Sequence, residues 1–190
     1  MFMKIILGSS SEGRKLVMQE LGLPFEVMSP DIDEKEIRDN DPEKLVIKIA
    51  EAKAKALMVQ INEAALLITA DSVGICNGEI FEKPQTREQA LYYFDKYKTF
   101  PLELISGVAV TNTSNGKQAK GVEKAKIYFK SVPNDFLEKY IESGRPFKGA
   151  GGFMVHDEEI KPFIDHIDGA YDTVTGLSKD LVLRLIEEVK

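Results

Sequence analysis

The sequence predicts an α/β fold in which a mixed, twisted sheet carries flanking helices. Three observations point there. Short apolar runs such as Lys4–Leu7 and Leu66–Ala70 alternate with longer stretches of helical periodicity. Ala125, Ile127 and Phe129 alternate with Lys124, Lys126 and Lys130, the period-two pattern of a sheet with one wet face. No internal repeat, low-complexity tract or long linker divides the chain. Its 190 residues therefore suit a single domain, residues 1–190, built as two lobes around a cleft with no clean boundary between them.

Each element has its own signal. Lys4–Leu7 reads as a buried strand, followed by the loop Gly8-Ser9-Ser10-Ser11-Glu12. A helix is expected from Gly13 to Leu21, stopped by Gly22 and Pro24, with a short strand at Phe25–Met28. Residues 29–41 form a polar, acidic surface loop. Asp41 and Pro42 then open a helix with an apolar stripe of Leu45, Ile49, Ala52, Ala56 and Val59. The strand Leu66–Ala70 delivers Asp71 at its end, and Asn77-Gly78 predicts a hairpin with a return strand at Glu79–Phe81. A helix capped by Thr86 runs to Lys98. A strand at Leu104–Thr111 precedes the tight turn Asn115-Gly116, and Pro133–Glu142 is helical. Gly144–Gly152 is glycine-rich, either functional or tightly packed. An amphipathic helix at Ser178–Lys190 closes the chain.

Composition excludes several classes of function. With 25 Lys+Arg against 31 Asp+Glu the net charge is −6, which argues against a general nucleic-acid binder. No apolar run approaches the roughly 18 residues that a membrane span needs. The start of the chain turns to Gly and Ser too early for a signal-peptide core. The single cysteine, Cys76, permits no intrachain disulfide, in keeping with a reducing compartment.

The first loop has P-loop glycine spacing, but Arg14 and Lys15 stand where the Lys and the Mg²⁺-binding hydroxyl belong. Two readings remain for it. Its backbone N–H groups and Arg14 could receive an anion at a helix N-terminus, or Ser9 and Glu12 could form a simple capping box. Asp71, followed by Ser72, is either a ligand-binding carboxylate at a strand end or a turn aspartate. Glu34 lies in the acidic run Asp31-Ile32-Asp33-Glu34, which is either a metal ligand source or a solvated face. Lys53 sits at the edge of its helix's apolar stripe, and Lys83 precedes the stiffening Pro84. His156 and His166 match no zinc spacing, and no nucleophile elbow is present.

These pieces, in this order, resemble the Maf family of nucleoside triphosphate pyrophosphatases from Ile5 to about Leu185. The matching stretches are Ser9-x-Ser11-x-x-Arg14, Asp31-Ile32-Asp33-Glu34, Ala50-Glu51-Ala52-Lys53-Ala54 and Ala70-Asp71-Ser72-Val73. Glu82-Lys83-Pro84, Ala150-Gly151-Gly152-Phe153 and Ile167-Asp168-Gly169-x-Tyr171-x-x-Val174-x-Gly176-Leu177 complete the set. The resemblance implies an elongated sheet related to the inosine-triphosphatase fold. It also implies a cytoplasmic hydrolase, dependent on Mg²⁺ or Mn²⁺, often a homodimer. Such an enzyme splits a nucleoside triphosphate between the α and β phosphates, releasing a monophosphate and pyrophosphate. Carried over residue by residue, Asp71 is the base or water-orienting carboxylate, and Glu34 with Asp71 holds the metal. Ser9, Ser11, Arg14, Lys53 and Lys83 bind the phosphates.

The chain also departs from that pattern. Gly13 replaces an arginine, Ser72 a threonine, and His156 a glutamine expected in the sheet after the later loop. In family members selective for dTTP and UTP these three positions are linked to base choice. Gly149 replaces a lysine, with Lys148 one residue earlier, and Ser178 replaces a proline. Two other readings stand beside pyrophosphohydrolysis: a non-catalytic nucleotide-binding protein influencing septum formation, and an inosine or xanthosine triphosphatase. Removal of noncanonical nucleotides is a family-level expectation.

Overall fold

The structure, a computed structural model, describes residues 3–190. Met1 and Phe2, part of the segment read above as lacking a signal-peptide core, lie outside the described residues. Seven strands and six α-helices form the described chain. The strand order is β2 (Glu26–Val27), β1 (Lys4–Leu7), β3 (Ala65–Cys76), β5 (Leu102–Asn112), β6 (Gln118–Phe129), β7 (Ile164–Asp168), with β4 (Glu79–Phe81) paired to β3. β1 pairs parallel with β2 and β3, whereas β3–β4 and β6–β7 are antiparallel, so the sheet is mixed as expected. Among the described residues no helix is long and apolar enough to cross a membrane.

The chain divides into two compact, discontinuous units. The first holds the residues through Asp71, then Ser106–Glu123 and Gly176–Lys190. Its paired parallel strands β1 and β3, the latter over residues 65–70, are buried on both faces, as parallel strands covered by helices must be. Ile5, Leu7, Leu66 and Ile68 point to one side, where they pack with α1 (Glu12–Glu20) and α6 (Lys179–Val189) through Val17, Met18, Leu181 and Leu185. Ile6 and Leu67, one residue out of phase, point to the other side and pack with Ala54 and Leu57 of α2 (Pro42–Met58). A one-residue register slip would exchange the two cores.

Two local expectations need correction here. The buried face of α2 is Leu45, Val46, Ile49, Ala50, Lys53, Ala54 and Leu57. The expected stripe is therefore rotated: Ala52 and Ala56 are only partly buried and Val59 is 81% exposed. Two adjacent 3.6-period stripes fit this alanine-rich helix, and packing on β3 selects between them. The cap of α1 also differs. Its N-cap is Ser11, without a side-chain capping bond, so Ser9 and Glu12 form no capping box.

The second unit holds Ser72–Ile105 and Lys124–Thr175. Its core is aromatic. Phe81 stacks on Tyr93 of α3 (Arg87–Tyr97) with ring centroids 3.9 Å apart, and Tyr97 stacks on Phe129 at 4.8 Å. The β3–β4 turn uses Asn77 and Gly78 at φ 50° and 81°, the two positive values that a type I′ hairpin demands. Thr86 caps α3 by accepting the Gln89 N–H. The glycine-rich stretch proves tightly packed: a Cβ on Gly151 would lie 2.5 Å from Leu102 Cδ2, and the Gly151 carbonyl accepts the Tyr97 hydroxyl at 2.6 Å. One feature escaped the sequence reading: the five-residue helix α5 (Tyr171–Thr175) is too short to show a period. The polar stretch Asp165-His166-Ile167-Asp168, which reads in the sequence as a turn or a sheet edge, lies on the edge strand β7.

Cys76 is fully buried in this unit, and that burial pushes its thiol up to about 11 from an ordinary 9.0. The thiolate is thus rare in the native state. A thiol reagent at pH 8 should label Cys76 only after unfolding, with native labelling at the free-thiol rate showing that the site opens. Because the folded value is the raised one, the associated stability is complete below about pH 9 and is lost as pH climbs towards about 11. Urea midpoints measured across that interval should fall.

Candidate active site

The first unit gathers most of the chemically interesting residues. β3 alternates, so Leu67, Thr69 and Asp71 share the face turned towards α2. The Thr69 hydroxyl, fully buried, donates to the Ala50 carbonyl of α2 at 2.7 Å. Three residues along the helix, Lys53 is only 4% exposed, and its Nζ donates to Asp71 Oδ1 at 2.8 Å and to the Ala70 carbonyl at 3.3 Å. The same Nζ meets Glu34 Oε1 at 3.0 Å. Glu34 opens a 3₁₀ turn, Glu34–Glu36, that Asp33 caps by accepting the Lys35 N–H at 2.9 Å. One buried ammonium therefore joins two carboxylates brought from separate segments.

A second cation stands close by. Arg14, 8% exposed, projects from α1 and donates from Nε to the Gly176 carbonyl at 3.0 Å and from Nη1 to Ser9 Oγ at 3.2 Å. Ser9 Oγ also accepts the Ser11 N–H at 3.3 Å, so the loop after β1 is folded onto the guanidinium. Burial lowers the Arg14 pKa, and the fields of Asp71 and Glu34 oppose that shift. Ser9, Arg14, Glu34, Lys53 and Asp71 thus belong to one electrostatic cluster. Ser11 is tied to it through Ser9, and Gly13 is buried in the first turn of α1.

The expectations differ from the structure in three respects. Asp71 lies within the twelve-residue strand β3 and does not end it. Its partner Lys53 lies on the buried face of α2, not at the edge of a stripe. His156 lies in a turn, outside any strand, and its buried Nδ1 has no hydrogen-bond partner among the described residues. Lys83, Ser72 and His156 all belong to the second unit, where Lys83 is exposed and its carbonyl accepts from Gln85 at 2.8 Å.

Other residues support the cluster without having been singled out. Ser106, fully buried on β5, donates to the same Gly176 carbonyl as Arg14, at 3.1 Å. A Cβ on Gly107 would fall 2.7 Å from Val46 Cγ2 and 2.9 Å from the Val46 carbonyl carbon. A Cβ on Gly8 would fall 2.6 Å from Leu57 Cδ1. Both glycines therefore let α2 approach the strands closely. A glycine within an apolar strand is the sequence signal that could have found Gly107.

Among the described residues no three His, Cys, Asp or Glu side chains form a group able to hold a metal by themselves. The oxygen donors at the site are the pair Glu34 and Asp71. Two carboxylates with a lysine and an arginine are the chemistry of polyphosphate handling. The profile of the Maf-like protein family matches residues 4–189.

The chain belongs to the Maf-like family. This Maf-like protein is 40% identical over 192 residues to a protein of Dictyostelium discoideum named 7-methyl-GTP pyrophosphatase, covering 97% of this chain and 96% of the relative. It is 31% identical over 185 residues to a protein of Synechococcus sp. (strain JA-2-3B'a(2-13)) named nucleoside triphosphate pyrophosphatase, covering 97% and 93%. Among solved structures, a HAM1 protein from Coxiella burnetii matches with a TM-score of 0.50 at 14% identity, covering 98% of this chain and all of that one. That last likeness concerns the fold alone, and agrees with the inosine-triphosphatase-like architecture expected from the sequence.

Proposed function

We propose that this Maf-like protein hydrolyses a nucleoside triphosphate between the α and β phosphates, giving a nucleoside monophosphate and pyrophosphate. The observation that carries this reading is the joining of Glu34 and Asp71 through the buried Lys53 ammonium, with Arg14 in the same field. A binding module has no need to bury a charged lysine between two carboxylates. A phosphate-transfer site does, because its catalysis is mostly positioning and charge neutralisation.

The residues fit a divalent cation. Both carboxylates already reach a single cationic atom, and Mg²⁺ characteristically takes one or two carboxylates with the remaining ligands from phosphate and water. Glu34 and Asp71 would hold Mg²⁺ or Mn²⁺, which when bound neutralises phosphate charge. Asp71 orients a water and takes its proton as the water oxygen bonds to the α-phosphorus. The bond to the α,β-bridging oxygen breaks, and pyrophosphate leaves with its electrons. Ser9, Ser11, Arg14 and Lys53 receive phosphate oxygens, and Lys83 is assigned to the phosphates on the family resemblance.

We further propose 7-methyl-GTP as the preferred substrate, over dTTP and UTP. The relative from Dictyostelium discoideum carries that name at 40% identity. Gly13, Ser72 and His156 all depart from the residues expected for pyrimidine selectivity. Pyrophosphate release should be assayed over 7-methyl-GTP, dTTP, UTP, ITP and XTP with Mg²⁺ or Mn²⁺. The expected result is the highest kcat/KM for 7-methyl-GTP and loss of turnover in EDTA. ITP or XTP as the fastest substrate would favour the inosine-triphosphatase reading, and no turnover with any would favour a nucleotide-binding role.

A further inference from the structure

We infer that Lys53 is the resident cation of the carboxylate pair, holding by its ammonium the position a divalent ion takes and yielding it when metal and triphosphate arrive together. This rests on Glu34 and Asp71 being the metal ligands. The Lys53 ammonium donates to Asp71 Oδ1 at 2.8 Å and to the Ala70 carbonyl at 3.3 Å, and forms an ion pair with Glu34 Oε1 at 3.0 Å. A phosphate oxygen drawn to Lys53 competes with both carboxylates for the same positive charge. Phosphate binding and carboxylate pairing therefore compete for one side chain.

Charge decides when the exchange occurs. Two carboxylates, Lys53 and the nearby Arg14 sum to formal neutrality, so the pair offers a lone divalent ion little net attraction. Removing the ammonium without replacement would leave Asp71 uncompensated in a mostly buried place, which is costly. Bringing the metal alone would leave an excess of positive charge and a displaced lysine without a partner. A triphosphate resolves both problems, since it binds the metal and receives the lysine. Metal and nucleotide should thus raise each other's affinity reciprocally.

Mn²⁺ binding, followed by electron paramagnetic resonance and by thermal shift, tests this on the full chain. The measurements compare the wild type, Lys53→Gln, Lys53→Met and Lys53→Arg, each with and without the α,β-methylene analogue of the best substrate. The wild type and Lys53→Arg should bind Mn²⁺ weakly alone. Lys53→Gln and Lys53→Met should bind it tighter by about tenfold or more without nucleotide, as coupled sites commonly show. If either neutral variant loses its fold, Mn²⁺ alone should restore it, and failure to do so overturns the inference. Unchanged Mn²⁺ affinity in folded Lys53→Gln, with affinity lost in Glu34→Gln, overturns the inference and leaves the metal-ligand reading standing. Wild-type Mn²⁺ affinity in both Glu34→Gln and Asp71→Asn overturns the metal-ligand reading itself.

Discussion

Replacing Asp71 by Asn should lower kcat by about 10²–10⁴-fold while the protein still folds and still binds nucleotide, because that is the usual worth of a positioned acid–base group. The change is isosteric. The amide oxygen can still accept from Lys53, and Lys53 keeps Glu34 at 3.0 Å and the Ala70 carbonyl at 3.3 Å. What disappears is the carboxylate oxygen proposed to take a proton from water, and with it one of the two negative charges proposed to hold the metal. Turnover is best measured at saturating Mn²⁺, so that a weaker metal site does not pass for lost base catalysis. Calorimetry with the α,β-methylene analogue reports binding separately, and a thermal melt reports folding. Wild-type turnover in the variant would remove Asp71 from the mechanism. Loss of analogue binding along with turnover would instead make Asp71 a substrate-binding residue.

Much of the fold was legible because its signals are local. The Asn77-Gly78 hairpin, the Asp41-Pro42 helix start and the Thr86 cap each declare themselves within a few residues, and each formed as expected. The α2 stripe was not legible. Its alanines suit either of two faces, and only the strand beneath, with Leu67, Thr69 and Asp71 in a row, determines which is buried. For the same reason Lys53 was noticed while its depth was not. Local sequence suggested a lysine reaching out of a core, whereas the structure buries it against Asp71 and Glu34. The support from Ser106, Gly107 and Gly176 was invisible for a different cause. Arg14 and Gly176 are 162 residues apart in the chain, and only folding brings them within hydrogen-bond distance.

Gly107→Ala should damage both stability and turnover, although it lies away from the carboxylates. The new methyl would lie 2.7 Å from Val46 Cγ2, 3.0 Å from Val46 Cβ and 2.9 Å from the Val46 carbonyl carbon. A side-chain rotation can relieve the first contact but not the backbone one, so α2 must move away from β5. Overpacking of this kind costs about 1–3 kcal/mol, readable as a lower urea midpoint. The catalytic consequence should be larger than the loss of stability suggests. Lys53 lies two turns further along the same helix, and its 2.8 Å contact with Asp71 depends on how closely α2 sits over β3. A displacement of about 1 Å in a positioning element can cost about 10²-fold in rate. The variant should therefore remain folded at 25 °C yet lose about two orders of magnitude in kcat. Val46→Ala in the same chain removes the Cγ2 contact and leaves the backbone contact, so it should restore stability and rate only in part. Full activity in Gly107→Ala would mean that Lys53 holds its carboxylates independently of helix position, and that the close approach serves packing alone.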